Sequence, residues 1–223
     1  MIINRNIREG GKLLEGVIEI DGIRGYLAGA RTKGKSFDDT DFEFLKEECG
    51  DLIKLDDLVQ DIPANGTYVE IGSYLGCSVH FMASRRKDIK IYSHDLWCDK
   101  ERWDDDLKKA VAPPKINDIY NKFLNNIKRH GDRIIPIRGD ISETYAIHED
   151  SSIDLCFVDG DHSFEGCYRD ISLMYPKIKR GGVLAGHDRQ CDDVREAVST
   201  FCGENDISPL YTDWSLIWYL HKI

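Results

Sequence analysis

Several short polar segments of this chain follow directly on apolar runs, and they concentrate its glycines, carboxylates and imidazoles. The first is Glu70-Ile71-Gly72-Ser73-Tyr74-Leu75-Gly76-Cys77-Ser78. Glycines here let the backbone turn tightly and approach a ligand, and a helix start presents unpaired N–H groups to it. The spacing is G-x-x-x-G, so neither a G-x-G-x-x-G dinucleotide loop nor a Gly-Lys-Ser/Thr phosphate loop is present. A tight strand-to-helix turn without a ligand accounts for the glycines equally well. The second segment, Ser93-His94-Asp95-Leu96-Trp97, puts a carboxylate where a strand ends, about twenty residues past the glycine loop, a position suited to ribose hydroxyls. The others are Arg138-Gly139-Asp140-Ile141-Ser142, Asp159-Gly160-Asp161-His162-Ser163-Phe164-Glu165 and Gly181-Gly182-Val183-Leu184-Ala185-Gly186-His187-Asp188.

Elements that position these groups are legible in the hydrophobic pattern. Strands are expected at Thr67–Ile71, Ile89–Ser93, Ile134–Ile137, Ile153–Val158 and Val183–Gly186, with helices at Ser78–Arg86, Ile116–His130, Phe164–Met174 and Asp192–Phe201. Repeated β-α-β units imply a parallel sheet with helices on both faces. Ligands then bind beyond the carboxyl ends of the strands, where all these polar segments lie. Ser208–Thr212 and Ser215–His221 are expected to close the sheet as an antiparallel hairpin. Upstream, Leu14–Leu27 alternates around Asp21-Gly22 as a small hairpin, and Thr40-Asp41-Phe42-Glu43 is a capping box opening a helix over Asp41–Cys49. Residues 1–60 are thus an N-terminal extension packing on a core formed by 61–223.

With these motifs in their order, the chain resembles the class I S-adenosylmethionine-dependent methyltransferases, most of all the branch of macrocin-type sugar O-methyltransferases and cephalosporin hydroxylase-like proteins. The Asp159–Glu165 segment followed by Gly181–Asp188 carries the resemblance. It implies a Rossmann-like, seven-stranded, mostly parallel sheet with helices on both faces, a C-terminal antiparallel hairpin, and S-adenosylmethionine on the glycine loop. Carried over by position, Glu70, Gly72, Ser73 and Gly76 belong to the cofactor loop, with Tyr74 and Ser78 near the methionine carboxylate. Asp95 meets the ribose and Asp140 or Ser142 the adenine, while a side chain on Gly72 would occupy the cofactor's space.

The glycine loop is also similar to that of catechol O-methyltransferase. That similarity makes Asp159, His187 and Asp188 metal-ligand positions and His162 the general base, with Asp159 beside it in the catalytic set. The family's adjacent pair is often acidic at its first member, which here is His187. Three arrangements follow: a mixed oxygen and nitrogen site for manganese or another transition metal, a magnesium site with His187 only nearby, or no metal. Methyl transfer needs a deprotonated oxygen aligned behind the sulfonium carbon, and an imidazole of ordinary pKa, about 6.5, accepts that proton near neutrality. Asp161 or Ser163 also caps the helix opening near Phe164 in a purely structural reading, and His80, His94, His130, His148 and His221 read as packing residues. Trp97 and Trp103 either close over a ligand or pack a lid, and Asp104-Asp105-Asp106 reads as a solvated helix start.

Composition sets the outer limits. In 223 residues, 40 acidic groups against 30 basic ones argue against a protein that coats nucleic acid, whose binding needs a basic face. No apolar run approaches a membrane span, the first residues lack a secretory apolar region, and the expected location is cytoplasmic. The 7 cysteines form no close C-x-x-C pair. A small-molecule substrate is the expected partner, with no nucleic acid and no membrane; a homo-oligomer is compatible with the sequence. A cephalosporin hydroxylase-like activity, and a binding protein without turnover on the same fold, remain alternatives to O-methylation.

Overall fold

The computed structural model describes the backbone of residues 2–3, 16–20 and 23–27, and residues 52–97, 119–211 and 215–223, with side chains from 54 onward in those ranges. The first strands, β1 (Ile2–Ile3), β2 (Gly16–Ile20) and β3 (Ile23–Leu27), form a small antiparallel sheet in that order. The expected hairpin is β2 and β3, with Ile20 opposite Ile23. The capping-box helix over 41–49, Trp103 and the 104–106 acidic run lie outside the described residues.

The main sheet comprises β4 (Thr67–Ile71), β5 (Lys90–Asp95), β6 (Ile134–Arg138), β7 (Ile153–Val158), β8 (Ile178–Gly186), β9 (Leu210–Tyr211) and β10 (Trp218–His221). Their order is β6-β5-β4-β7-β8-β10-β9. β4 to β8 run parallel, and β10 is antiparallel to both its neighbours. This is the expected seven-stranded sheet with its C-terminal hairpin. β8 begins earlier than its apolar run, because Ile153 pairs with Ile178 but Leu155 with Val183, and the irregularity absorbs Gly181 at φ +82°. The hairpin strands are shorter than their alternating sequence suggests.

Strand order reverses between β4 and β7. The chain builds outward through β5 and β6, then returns to the other side of β4, which opens a crevice at the carboxyl ends of β4 and β7.

The helices are α1 (Leu52–Gln60), α2 (Cys77–Arg85), α3 (Ile119–Ile127), α4 (Ile141–Thr144), α5 (Phe164–Met174) and α6 (Asp192–Glu204). Strand alternation divides the core into two layers. Tyr68, Leu155, Phe157 and Ala185 face α1, α2 and α3, where Leu58, Val59, Phe81, Met82 and Phe123 are buried. Val69, Cys156, Val158 and Leu184 face α5 and α6, where Ile171, Met174, Val198 and Phe201 are buried. The sequence pattern does not announce α1 or the short α4. Ser163 caps α5, its hydroxyl accepting from the Gly166 N–H at 3.1 Å, which is worth about 1 kcal/mol.

Two buried histidine pairs replace the partnerless packing expected from sequence. Thr144 Oγ1 donates to the Asp140 carbonyl, so it accepts from His94 Nδ1 at 3.0 Å. His94 Nε2 is therefore a bare acceptor, and His148 Nε2 donates to it at 2.9 Å. Likewise Arg133 donates to His130 Nδ1, and His130 Nε2 donates to His80 Nδ1 at 2.7 Å. Burial pushes His94 and His80 down to about 3 and His148 to about 4, so all three are neutral near pH 7. No described helix is long and apolar enough to cross a membrane.

Candidate active site

Ladder hydrogen bonds continue past the strand ends and hold the polar segments side by side. The Gly72 N–H donates to the His94 carbonyl at 2.9 Å, Asp159 N–H to Ile71 at 2.8 Å, and His187 N–H to Val158 at 3.1 Å. Gly72 is at φ +85°, and a Cβ there would stand 2.0 Å from the Asp159 carbonyl oxygen. The glycine is required by the close approach of the two loops flanking the switch point, so a side chain would strike the neighbouring loop.

The glycine loop ends at Gly76, also left-handed at φ +83°, and α2 starts behind it without a side-chain cap. A helix start is where backbone N–H groups can meet an anion. Glu70 lies beneath, fully buried, accepting from Tyr68 Oη at 2.6 Å and from Ser78 Oγ at 2.8 Å. Burial pushes its carboxyl up to about 7 in spite of these hydrogen bonds. Ser73 accepts from Ser93 Oγ at 2.5 Å.

Asp95 ties two loops together. One carboxylate oxygen accepts the Tyr74 N–H at 2.7 Å and the other the Trp97 N–H at 2.6 Å, while Trp97 Nε1 donates to the Tyr74 carbonyl at 2.8 Å. Tyr74 and Trp97 both adopt positive φ, 43° and 37°, so the carboxylate holds two strained backbones. Burial raises the Asp95 carboxyl above its ordinary value, against the pull of both amides. The Trp97 ring packs on Tyr120 and Phe123, with centroids 4.9 and 4.5 Å away. At the next strand end Asp140 caps α4, one oxygen accepting from the Ser142 N–H at 2.9 Å and hydroxyl at 2.7 Å.

Across the crevice, the ends of β7 and β8 bring together the residues singled out for metal and proton chemistry. His162 Nε2 is 3.5 Å from Asp159 Oδ1 and 3.2 Å from Asp188 Oδ2, and His187 Nδ1 is 3.8 and 3.2 Å from the same two atoms. Donors about 2.0 to 2.2 Å from one small ion stand roughly 3 to 3.6 Å apart, so the spacing and the mixed oxygen and nitrogen donors fit a divalent cation. Donor atoms of Asp159, His162 and Asp188 lie within 4.8 Å of one another, so the two carboxylates and this imidazole stand together at the strand ends. Asp188 sits at φ 57°, its carbonyl accepting the Cys191 N–H at 2.8 Å. Burial raises its pKa, but the hydrogen bond to His187 and the two imidazoles outweigh that and hold it down at about 2.

Residues 69–189 match a family model described as a methyltransferase domain. The chain belongs to the class I S-adenosylmethionine-dependent methyltransferases. This methyltransferase is 30% identical over 126 residues to the uncharacterized protein R132 of Acanthamoeba polyphaga mimivirus. The match takes in 56% of the chain and 52% of R132, so the chain spans about half the length of that curated relative. Among solved structures, its fold is shared with the O-methyltransferase NovP (TM-score 0.54, 16% identity, 77% of this chain and 78% of NovP). The calicheamicin methyltransferase CalS11 is similar too (TM-score 0.53, 17% identity, 77% of this chain and 78% of CalS11).

The methyltransferase's sequence-derived site residues fall into two groups in the structure. Glu70, Gly72, Ser73, Tyr74, Gly76, Ser78 and Asp95 gather around the glycine loop, whereas Asp159, His162, His187 and Asp188 face them from β7 and β8. Asp140 and Ser142 stand two strands out from β4, bonded to each other. Tyr68 is the participant that motif reading does not reach. Its only signal is the two-residue strand period that places it on the same face as Glu70.

Proposed function

We propose that this chain transfers the methyl group of S-adenosylmethionine to a hydroxyl of a small molecule, a sugar or a natural-product scaffold, with a divalent ion assisting. The observation that carries the reading is the convergence of Asp159, His162, His187 and Asp188 beside the glycine loop. NovP, an O-methyltransferase, and CalS11, a calicheamicin methyltransferase, support the class of acceptor. The cofactor supplies an electrophilic methyl group; magnesium or manganese held by Asp159, Asp188 and His187 supplies Lewis-acid stabilisation of negative charge on oxygen.

The chain's own residues do the positioning. Glu70, Gly72 and the open start of α2 receive the amino-acid end of the cofactor, and Asp95 is placed for its ribose. Asp140 and Ser142 edge the adenine side. His162 takes the proton of the attacking hydroxyl, and the Asp159 and Asp188 carboxylates near its Nε2 stabilise the imidazolium that forms. S-adenosylmethionine held there would supply the methyl group that replaces the proton given up by the acceptor oxygen to His162.

Calorimetric titration with S-adenosylmethionine, S-adenosylhomocysteine and NAD, each with and without magnesium or manganese, tests the reading. Binding of the two sulfur ligands and not NAD, together with metal-dependent methylation of a hydroxylated acceptor, is the expected result. NAD binding alone would overturn it.

A further inference from the structure

The irregularity in β8 borders a cavity at the end of the sheet away from the crevice. β8 runs from 178 to 183 while β7 runs from 153 to 155, so three residues of β8 are surplus to the pairing. Surplus residues leave the ladder and bend the strand. Backbone bonds to the end of the chain hold this bulge: the Gly181 N–H donates to the Lys222 carbonyl at 2.7 Å, and the Lys222 N–H to the Gly182 carbonyl at 2.9 Å. A Cβ on Gly181 would meet no atom within 4 Å, so the bulge faces open space there. The cavity holds about 360 Å³ between the bulge and the end of α1, within the range of small-molecule sites. Asp154 lines it from the second position of β7, roughly 16 Å along the strand from Asp159, so the cavity is separate from the candidate active site.

The charges around this cavity are one closed pair and two open groups. Asp154 is buried and accepts Lys179 Nζ on its two oxygens at 2.9 and 2.8 Å, with the Thr67 N–H at 2.8 Å, so this pair is satisfied within the chain. Arg180 on the bulge and Asp61 just past α1 are both exposed, and both line the cavity. Among the described residues neither has an ion-pair partner within 4.0 Å, and they do not pair with each other. Leu58, Ile62 and Val183 give the same cavity an apolar surface.

We propose that this cavity is a second ligand site, for a small zwitterion with an apolar body, of the chemical class of an apolar or aromatic α-amino acid. A guanidinium and a carboxylate that border one cavity without meeting match a ligand that brings a carboxylate to the first and an ammonium to the second. Arg180 takes the carboxylate through its fork of N–H donors, and Asp61 accepts from the ammonium. The apolar body lies against Leu58, Ile62 and Val183. A purely anionic ligand would set like charge against Asp61, and a purely cationic one would do so against Arg180.

The test is an amide chemical-shift titration of the full chain at pH 6.5 with three probes: phenylalanine, phenylalaninamide, which lacks the carboxylate, and N-acetylphenylalanine, which lacks the ammonium. Phenylalanine is expected to shift the Gly181 and Gly182 amides saturably, to leave the Gly72 and Gly76 amides unmoved, and to bind equally well with S-adenosylhomocysteine present. Arg180→Gln should weaken phenylalanine by about 5- to 10-fold and leave the amide within about twofold. Asp61→Asn should weaken phenylalanine similarly and spare the N-acetyl compound. Both positions are exposed, so neither substitution removes a buried contact. No saturable shift at the bulge overturns the site, and so do shifts confined to the glycine loop. Shifts at the bulge that both variants leave unchanged, or that the three probes produce with equal affinity, overturn the ligand class.

Discussion

The Asp188 carboxylate lies 3.2 Å from His162 Nε2, so the loop after β8 closes on the loop after β7 and one imidazole serves both. Asp188→Ala is expected to abolish manganese binding in calorimetric titration. His162→Ala should leave S-adenosylhomocysteine affinity intact and slow turnover by about 10² to 10⁴. Unchanged turnover in the second variant would remove the base from His162.

Asp95 holds the Tyr74 and Trp97 amides with its two carboxylate oxygens. Asp95→Ala should therefore loosen two loops as well as lose ribose contacts, weakening S-adenosylhomocysteine by about 1.5 to 3 kcal/mol. Asp95→Asn, which keeps one acceptor oxygen, should fall between. Identical affinities for all three proteins would place the ribose elsewhere.

Gly72 offers a different kind of test, because its Cβ would meet backbone at 2.0 Å and its φ is +85°. Gly72→Ala already cannot fit without parting the loops after β4 and β7, and is expected to cost about 2 to 4 kcal/mol of stability along with cofactor binding. Gly72→Val should be worse. Urea unfolding of Gly72→Ala at the wild-type midpoint would show that the two loops are not in contact.

Asp170 is buried on α5 against Arg169, its carboxyl pushed up to about 7 by burial in spite of that neighbour. Its folded pKa stands above the unfolded value, so the stability it contributes is fully present below about 3.8 and lost as pH rises through about 7. Asp170→Asn removes this dependence. Relative to wild type, the variant should gain about 2 to 3 kcal/mol between pH 5 and pH 8 in urea unfolding. A difference that does not change with pH would contradict the burial argument.

Alternation and apolar runs defined the strands from β4 to β8, most clearly β4, β7 and the end of β8, which are buried on both faces, and such runs are local properties of the chain. The Ser163 cap and the turn at Gly72 were legible for the same reason, since capping and tight turns act over a few residues. Types alone also marked Asp159, His162, His187 and Asp188 as chemistry-bearing. What the sequence did not contain is which strand lies beside which. The placement of β4 next to β7 makes Gly72 meet Asp159, and the pairing of β7 with β8 brings His162 to Asp188. The same holds for His94 with His148, and for the depth at which Tyr68 and Glu70 meet Ser78. Local pattern fixes an element and its face; contacts between distant segments follow from sheet order and from which side chains burial forces to share protons, and those exist only once the layers have closed.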